Sequence, residues 1–225
     1  TAGREIEFDW GEVKLFIDGK LRSLSMAVFT LAYSNDRYAR LYKSETMVCV
    51  QDAHVKCIEA LGFVPNVFTY DNMRTVVKNF IGYDRFITDG MKSLSLHYHF
   101  QIRLCQPRKG NEKGHVERSV EYIRRKAFAH RDTFTSLEEA QEYLVSIIEK
   151  LNQRPHYLKE KTHHELMLEE KAERAGSLTA APFDPAELVE LRVDKYSTVI
   201  YRHNRYSVPE GHVGEYIKLK ARAEE

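Results

Sequence analysis

Three acidic residues stand out by where they fall: Asp9, Asp71 and Glu117. Asp9 lies between Phe8 and Trp10 in an otherwise apolar stretch. A carboxylate there is costly unless it is paired or binds a cation. Asp71 ends the short run Val67-Phe68-Thr69-Tyr70, and the ends of parallel strands are where open α/β sheets hold ligands. Glu117 belongs to Lys-Gly-Asn-Glu-Lys-Gly-His-Val-Glu-Arg, residues 109–118, beside the core-facing Val116. Converging, the three would form an oxygen-rich cage of the kind Mg²⁺ prefers, with Mn²⁺ as a substitute. Two such ions ~3.5–4 Å apart activate a hydroxyl or water and stabilise a leaving oxygen in phosphodiester chemistry. Each acid also has an ordinary alternative. Asp71 before Asn72 suits a turn cap. Glu117 shares a helix face with Lys113 and Glu121, so Glu121 is a second candidate ligand. Asp9 has the least comfortable alternative.

Positive charge gathers in two segments. Residues 101–131 hold Arg103, Arg108, Lys109, Lys113, Arg118, Arg124, Arg125, Lys126 and Arg131 against three glutamates, a local net of +6. Residues 192–222 have a net of +4, with Arg202 and Arg205 among the bases and Tyr196, Tyr201 and Tyr206 interleaved. Lys113, Arg118 and Arg125 can reach outward beside Glu117, and phosphate contacts carry most nucleic-acid affinity. The same charges also suit a solvated helix face, and the tyrosines a barrel interior. The chain's net charge of +1 averages these segments against an acidic remainder, so it does not exclude a polyanion.

Other chemistries find less support. Cys49, Cys57 and Cys105 are odd in number and form no Cys-x-x-Cys pair, which fits a reducing cytoplasm and argues against a zinc ribbon. His163-His164-Glu165 lacks a second ligand, because position 168 is Leu. His97 and His99 have no partner pair nearby and read as ordinary histidines. There is no Gly-rich phosphate loop, no basic-then-apolar leader and no apolar run of ~20 residues.

The elements that must position these residues follow from periodicity. Residues 5–17 alternate as a strand with a bulge or kink at Gly11, Asp18-Gly19 signals a hairpin, and Leu24–Tyr33 and Tyr38–Tyr42 complete a meander. Residues 45–61 switch to helical spacing and end at Gly62. Val67–Tyr70 is a strand, 84–97 a further helix, and Gln101–Cys105 a fifth strand. Helices follow over 112–130, with Val116, Val120, Ile123 and Ala127 as its stripe, over 136–152 with a Ser136/Glu139 capping box, and over 163–174 capped by Thr162 with Glu165. Residues 176–185 read as a linker, and the period returns to two from Leu188 to Lys220 as a small β-barrel. The fold class is α/β. A mixed five-stranded sheet with flanking helices comes first, then helices and the barrel.

Asp-Trp-Gly at 9–11, Tyr-Asp-Asn-Met-Arg-Thr-Val-Val at 70–77 and the 109–118 segment resemble the three acidic motifs of DDE transposases and retroviral-type integrases. His54, Leu61-Gly62-Phe63-Val64-Pro65 leading to Tyr70-Asp71-Asn72, and Asn204-Arg205-Tyr206-Ser207-Val208-Pro209 further resemble the IstA-type transposases of bacterial insertion sequences. The resemblance covers roughly residues 3–220. It implies an RNase H-like domain over 1–134, a helical extension and linker over 135–182, and the barrel over 183–225. It implies Asp9, Asp71 and Glu117 as ligands of a two-metal site. It implies 3′-end cleavage and strand transfer by a homo-oligomer on paired DNA ends, aided by an AAA+ helper ATPase, in the bacterial cytoplasm. Two departures matter. The 46-residue gap from Asp71 to Glu117 exceeds that of retroviral integrases and leaves Glu112 and Glu121 as alternatives. The helix-turn-helix region expected upstream is missing, so the chain reads as a fragment, and its barrel stops early. The competing functions are an RNase H-like nuclease that only hydrolyses and a non-catalytic DNA-binding protein.

Overall fold

A computed structural model describes residues 1–71, 73, 75–81, 84–105, 116–178 and 181–223, with the backbone alone at 79–81, 84–85 and 116–118. The chain divides into two units, Thr1–Phe183 and Asp184–Glu225.

In the first unit β1 (Glu5–Ile17), β2 (Lys20–Leu31) and β3 (Arg37–Tyr42) form an antiparallel meander. Asp18 and Gly19 both take positive φ, 51° and 68°, as a two-residue hairpin requires. The β1–β2 register runs unbroken from Ile6↔Leu31 to Ile17↔Lys20. The bulge or kink expected at Gly11 is therefore absent, and that glycine has a packing role described below. Helix α1 (Met47–Leu61) starts at Thr46, whose side chain accepts from the Cys49 N–H, and stops at Gly62 in the left-handed conformation. It leads to β4 (Val67–Tyr70), parallel to β1.

The 84–97 segment departs from expectation. Its first four residues are strand: β5 (Val77–Ile81) and β6 (Asp84–Ile87) form a hairpin, and α2 (Asp89–Tyr98) begins only after Thr88. Phe86 and Ile87 favour a pleated ladder, and extended Thr88 sets the helix start. His97 and His99 occupy the last turn of α2 and its left-handed cap. Strand β7 (Gln101–Leu104) pairs parallel with β4. The order β3-β2-β1-β4-β7 is the expected mixed five-stranded sheet, and β8 (Thr133–Phe134) adds a short sixth strand on β1.

Three helices complete the unit: α3 (Val116–Phe128), α4 (Leu137–Asn152) and α5 (His163–Glu173). Residues 112–115 of the helix expected over 112–130 lie outside the described residues. The Thr162/Glu165 capping box is formed. At α4, Ser136 accepts from the Glu139 N–H, but Glu139 bonds the Thr135 N–H and hydroxyl, so the expected box is only half made.

Alternation divides the sheet into two faces. Ile6, Phe8, Phe29, Phe68 and Tyr70 point towards α1. Val13, Leu15, Leu24, Met26 and Val28 point to the other side and form one core with Ile123 and Ala127 of α3 and Leu144 and Ile148 of α4. Burying each such side chain contributes about 1.5–3 kcal/mol. Asp9 has the parity of Gly11 and Val13, so it lies on the face that α3 covers.

In the second unit β9 (Glu187–Arg192) pairs with β12 (Tyr216–Ala221), and β10 (Thr198–Tyr201) with β11 (Asn204–Ser207). Among the described residues these make two antiparallel ribbons, and no ladder between them closes the expected barrel. Among the described residues no helix is long and apolar enough to cross a membrane.

Candidate active site

The β1–β4 ladder ends at the pair Phe8↔Tyr70. Asp9 and Asp71 are each the next residue, on neighbouring parallel strands ~4.8 Å apart. Both therefore turn to the face opposite Phe8 and Tyr70, and both are half-buried. The β4–β7 ladder ends at Tyr70↔Leu104, which sets buried Cys105 beside Asp71 in the same row. Two residues that are distant in sequence thus meet at one strand end.

Helix α3 brings the third position. A Cβ on Gly11 would lie 2.5 Å from Val120 Cγ1, so α3 rests directly on the β1 backbone at this point. Further along, Ile123 and Ala127 pack with Val13 and Leu15, so helix and strand advance together. The backbone at 117 is one turn before Val120, which puts it towards Asp9. The helix is also tied sideways: Arg37 Nε donates to buried Ser119 Oγ at 3.3 Å, and its guanidinium lies 5.3 Å from the Tyr122 ring. Glu121 is exposed and lines a cleft of about 640 Å³ with Glu12, Lys14, Arg124, Arg125 and Phe128. That is about 6 Å further along the helix than position 117. Glu112 lies outside the described residues, as do Arg108, Lys109 and Lys113.

Asp9 and Asp71 offer hard oxygen donors on one face at one strand end, a donor chemistry that fits Mg²⁺ or Mn²⁺. Among the described residues no three His, Cys, Asp or Glu side chains gather into a metal-binding group. The Glu117 side chain is not among those described.

The expected DNA-binding bases separate. Arg118 has its backbone in the first turn of α3. Arg125 is exposed in the last turn of α3 and lines the cleft just described. Arg202 pairs with Glu187 at 2.7 Å, and Arg205 with Asp194 at 3.0 Å. Both keep about half of their side-chain surface exposed, so they remain open to a phosphate despite these partners.

Several buried polar groups around the sheet escape sequence reasoning. Glu7 shares Asp9's face and is 5% exposed. The β2–β3 turn at residues 34–36, with Arg37 at the start of β3, docks into the helical extension. Ser34 Oγ donates to buried Glu170 at 2.6 Å, Asn35 meets His156 Nε2 at 3.1 Å, and the Asn152 amide bonds both backbone polar groups of Arg37. Burial, with Glu170 nearby, pushes the Asp36 carboxyl up to about 7. Burial pushes the imidazole of His54, wholly enclosed between α1 and the sheet, down to about 4. The only signal for the turn was its polar Ser-Asn-Asp composition, which surface turns share.

Comparison with known proteins bears on the relatives and the fold of the chain. Residues 178–225 match the family described as Mu transposase, C-terminal domain. The chain is 31% identical over its whole length to the transposase for insertion sequences IS1326/IS1353 of Pseudomonas aeruginosa, and it covers 44% of that protein. It is 27% identical over 96% of its length to the transposase of insertion sequence element IS21, also of P. aeruginosa, and covers 55% of it. The chain thus spans about half the length of these relatives. Among solved structures, the HTLV-2 integrase catalytic core domain in complex with magnesium superposes with a TM-score of 0.56 at 16% identity, over 74% of this chain and 97% of that one. That likeness is one of fold, the RNase H-like arrangement expected from the sequence. Along its whole length, and on this fold, the chain is similar to the insertion-sequence transposases of the IS1326 and IS21 type.

Proposed function

We propose that this chain carries the catalytic core of a DNA transposase that performs metal-dependent 3′-end cleavage and strand transfer. The observation that carries this reading is the row of Asp9 and Asp71 on adjacent strand ends, with the α3 backbone at 117 one turn before Val120, which rests on Gly11. In the first step a water oxygen attacks the phosphorus at the transposon end. The bond to the 3′ oxygen breaks, freeing a 3′ hydroxyl and leaving the phosphate on the flanking strand. In the second step that hydroxyl attacks a target phosphodiester, forming one P–O bond as another breaks. Each step exchanges one such bond, and strand transfer needs no external energy source. Asp9, Asp71 and Glu117 would hold two Mg²⁺ ions, or Mn²⁺ in their place. When bound, such ions activate the attacking oxygen and stabilise the leaving one.

The remaining roles belong to charge and assembly. Arg108, Lys109, Lys113, Arg118 and Arg125 hold phosphates near the acids, and Arg202 and Arg205 offer phosphate contacts on the C-terminal unit. We assign the catalytic domain to 1–134, the helical extension and linker to 135–182, and a DNA-contacting β module to 183–225. The protein acts as a homo-oligomer on paired DNA ends in the bacterial cytoplasm, and ATP hydrolysis resides on a separate AAA+ helper.

The test uses full-length protein with uncut and pre-cut end DNA. Asp9→Asn, Asp71→Asn and Glu117→Gln each lower joining by roughly 10³-fold or more, the scale of a lost metal site, and leave DNA affinity near normal. Joining retained in Asp9→Asn overturns the assignment of the first ligand. Loss in Glu112→Gln or Glu121→Gln but not in Glu117→Gln moves the third ligand. Cleavage by the wild type without joining identifies a nuclease instead.

A further inference from the structure

We propose that His54 is a positioning residue that sets the spacing of Asp9 and Asp71 from the opposite face of the sheet, a role that rests on their reading as metal ligands. Its Nδ1 lies 2.7 Å from the Val50 carbonyl oxygen, and its Nε2 lies 2.8 Å from the Tyr70 hydroxyl. A carbonyl only accepts, so Nδ1 carries the proton, and Nε2 accepts from the Tyr70 O–H. The imidazole ring is 5.0 Å from Phe8 and 5.6 Å from Tyr70, centre to centre. Phe8 and Tyr70 are the last paired residues of the β1–β4 ladder, and each immediately precedes one of the two carboxylates. One side chain therefore touches both strands at the step before the site.

The support matters most on β4. This strand is four residues long, and Asp71 follows directly after it. Besides its ring packing against Phe8 and Phe68, the Tyr70 side chain is anchored to α1 by its hydroxyl, through His54. All three rings are fully enclosed, so they have one arrangement and transmit it rigidly. Losing the bond lets the Tyr70–Asp71 peptide shift relative to Phe8–Asp9 and widens the range of carboxylate separations that a metal must close.

The test reads metal binding directly, as free Mn²⁺ by electron paramagnetic resonance, in the full-length protein without DNA. Tyr70→Phe removes only the hydroxyl. The double variant His54→Leu/Tyr70→Phe removes both polar partners, so it leaves neither half of that hydrogen bond unpaired and is expected to keep the fold where Tyr70→Phe does not. Both are expected to weaken Mn²⁺ binding about 10-fold, the lower range for a lost support behind a metal ligand. His54→Gln restores an acceptor near Nε2 and is expected to bind within about twofold of wild type. If the double variant folds and binds Mn²⁺ as wild type does, His54 is only a core residue and the proposal is overturned. Asp71→Asn separates the two levels. Lost binding in Asp71→Asn beside normal binding in the double variant sinks the positioning role alone. Unchanged binding in Asp71→Asn sinks the site reading and this proposal together.

Discussion

Gly11→Ala tests how α3 is held over the acids. The new methyl would sit 2.5 Å from Val120 Cγ1 and 3.5 Å from Met26 Cε. Carbon atoms in contact prefer ~3.5–4.0 Å, so a gap of about 1 Å must open at Val120. Valine in a helix has one strongly favoured rotamer, so the helix must retreat rather than the side chain turn. That retreat works against Ile123 and Ala127 in the core and against the Arg37–Ser119 bond. Overpacking of this kind costs about 1–3 kcal/mol, while replacing glycine in a strand returns about 0.5–1 kcal/mol. The expected net loss is about 0–2.5 kcal/mol. Position 117 rides on the same turn, and a displacement of about 1 Å at a reacting centre costs up to ~10²-fold in rate. Val120→Ala removes the clashing methyl. The cost of Gly11→Ala/Val120→Ala should therefore fall below the sum of the single costs by about 1–2 kcal/mol. Urea unfolding followed by Trp10, the sole tryptophan and the residue between Asp9 and Gly11, reports stability, and strand joining reports function. Strictly additive costs, or full joining in Gly11→Ala, would refute the close approach as the reason for glycine.

Two further outcomes follow from the β2–β3 turn and the helical extension it docks into. Burial raises the Asp36 carboxyl to about 7, so the fold favours its protonated form; the stability it contributes is present below pH ~4 and is lost as pH rises towards 7. The loss is on the order of 4 kcal/mol at most. Asp36→Asn should flatten unfolding free energy over that window and exceed wild type at pH 8, and an unchanged pH profile would count against a buried, protonated Asp36. Thr162→Ala removes the cap that accepts from the Glu165 N–H and should cost about 1 kcal/mol by thermal melting, with metal binding unaffected.

Local pattern carried much of this protein. Alternation located the meander, Asp18-Gly19 its turn, Thr162 and Glu165 a helix start, and the awkwardness of a carboxylate between Phe8 and Trp10 singled out Asp9. These are signals written within a few residues of one another. What needed the tertiary structure was whatever joins distant segments. Gly11 looked like a kink because sequence cannot show that Val120 lies on top of it. His54 falls within the helical spacing of 45–61, which does not show its partner, because Tyr70 is on a strand. Phe86 and Ile87 followed a hairpin ladder instead of the helix beginning at Asp89, since pairing with β5 outweighs a weak local preference. The pairing of Arg202 with Glu187 and of Arg205 with Asp194 forms only once the ribbons do. Residue type and local periodicity suffice to mark which residues could do chemistry and which elements carry them. Only packing decided that two carboxylates end neighbouring strands, because the meeting of β1 and β4 depends on burial of a shared core and not on any local code.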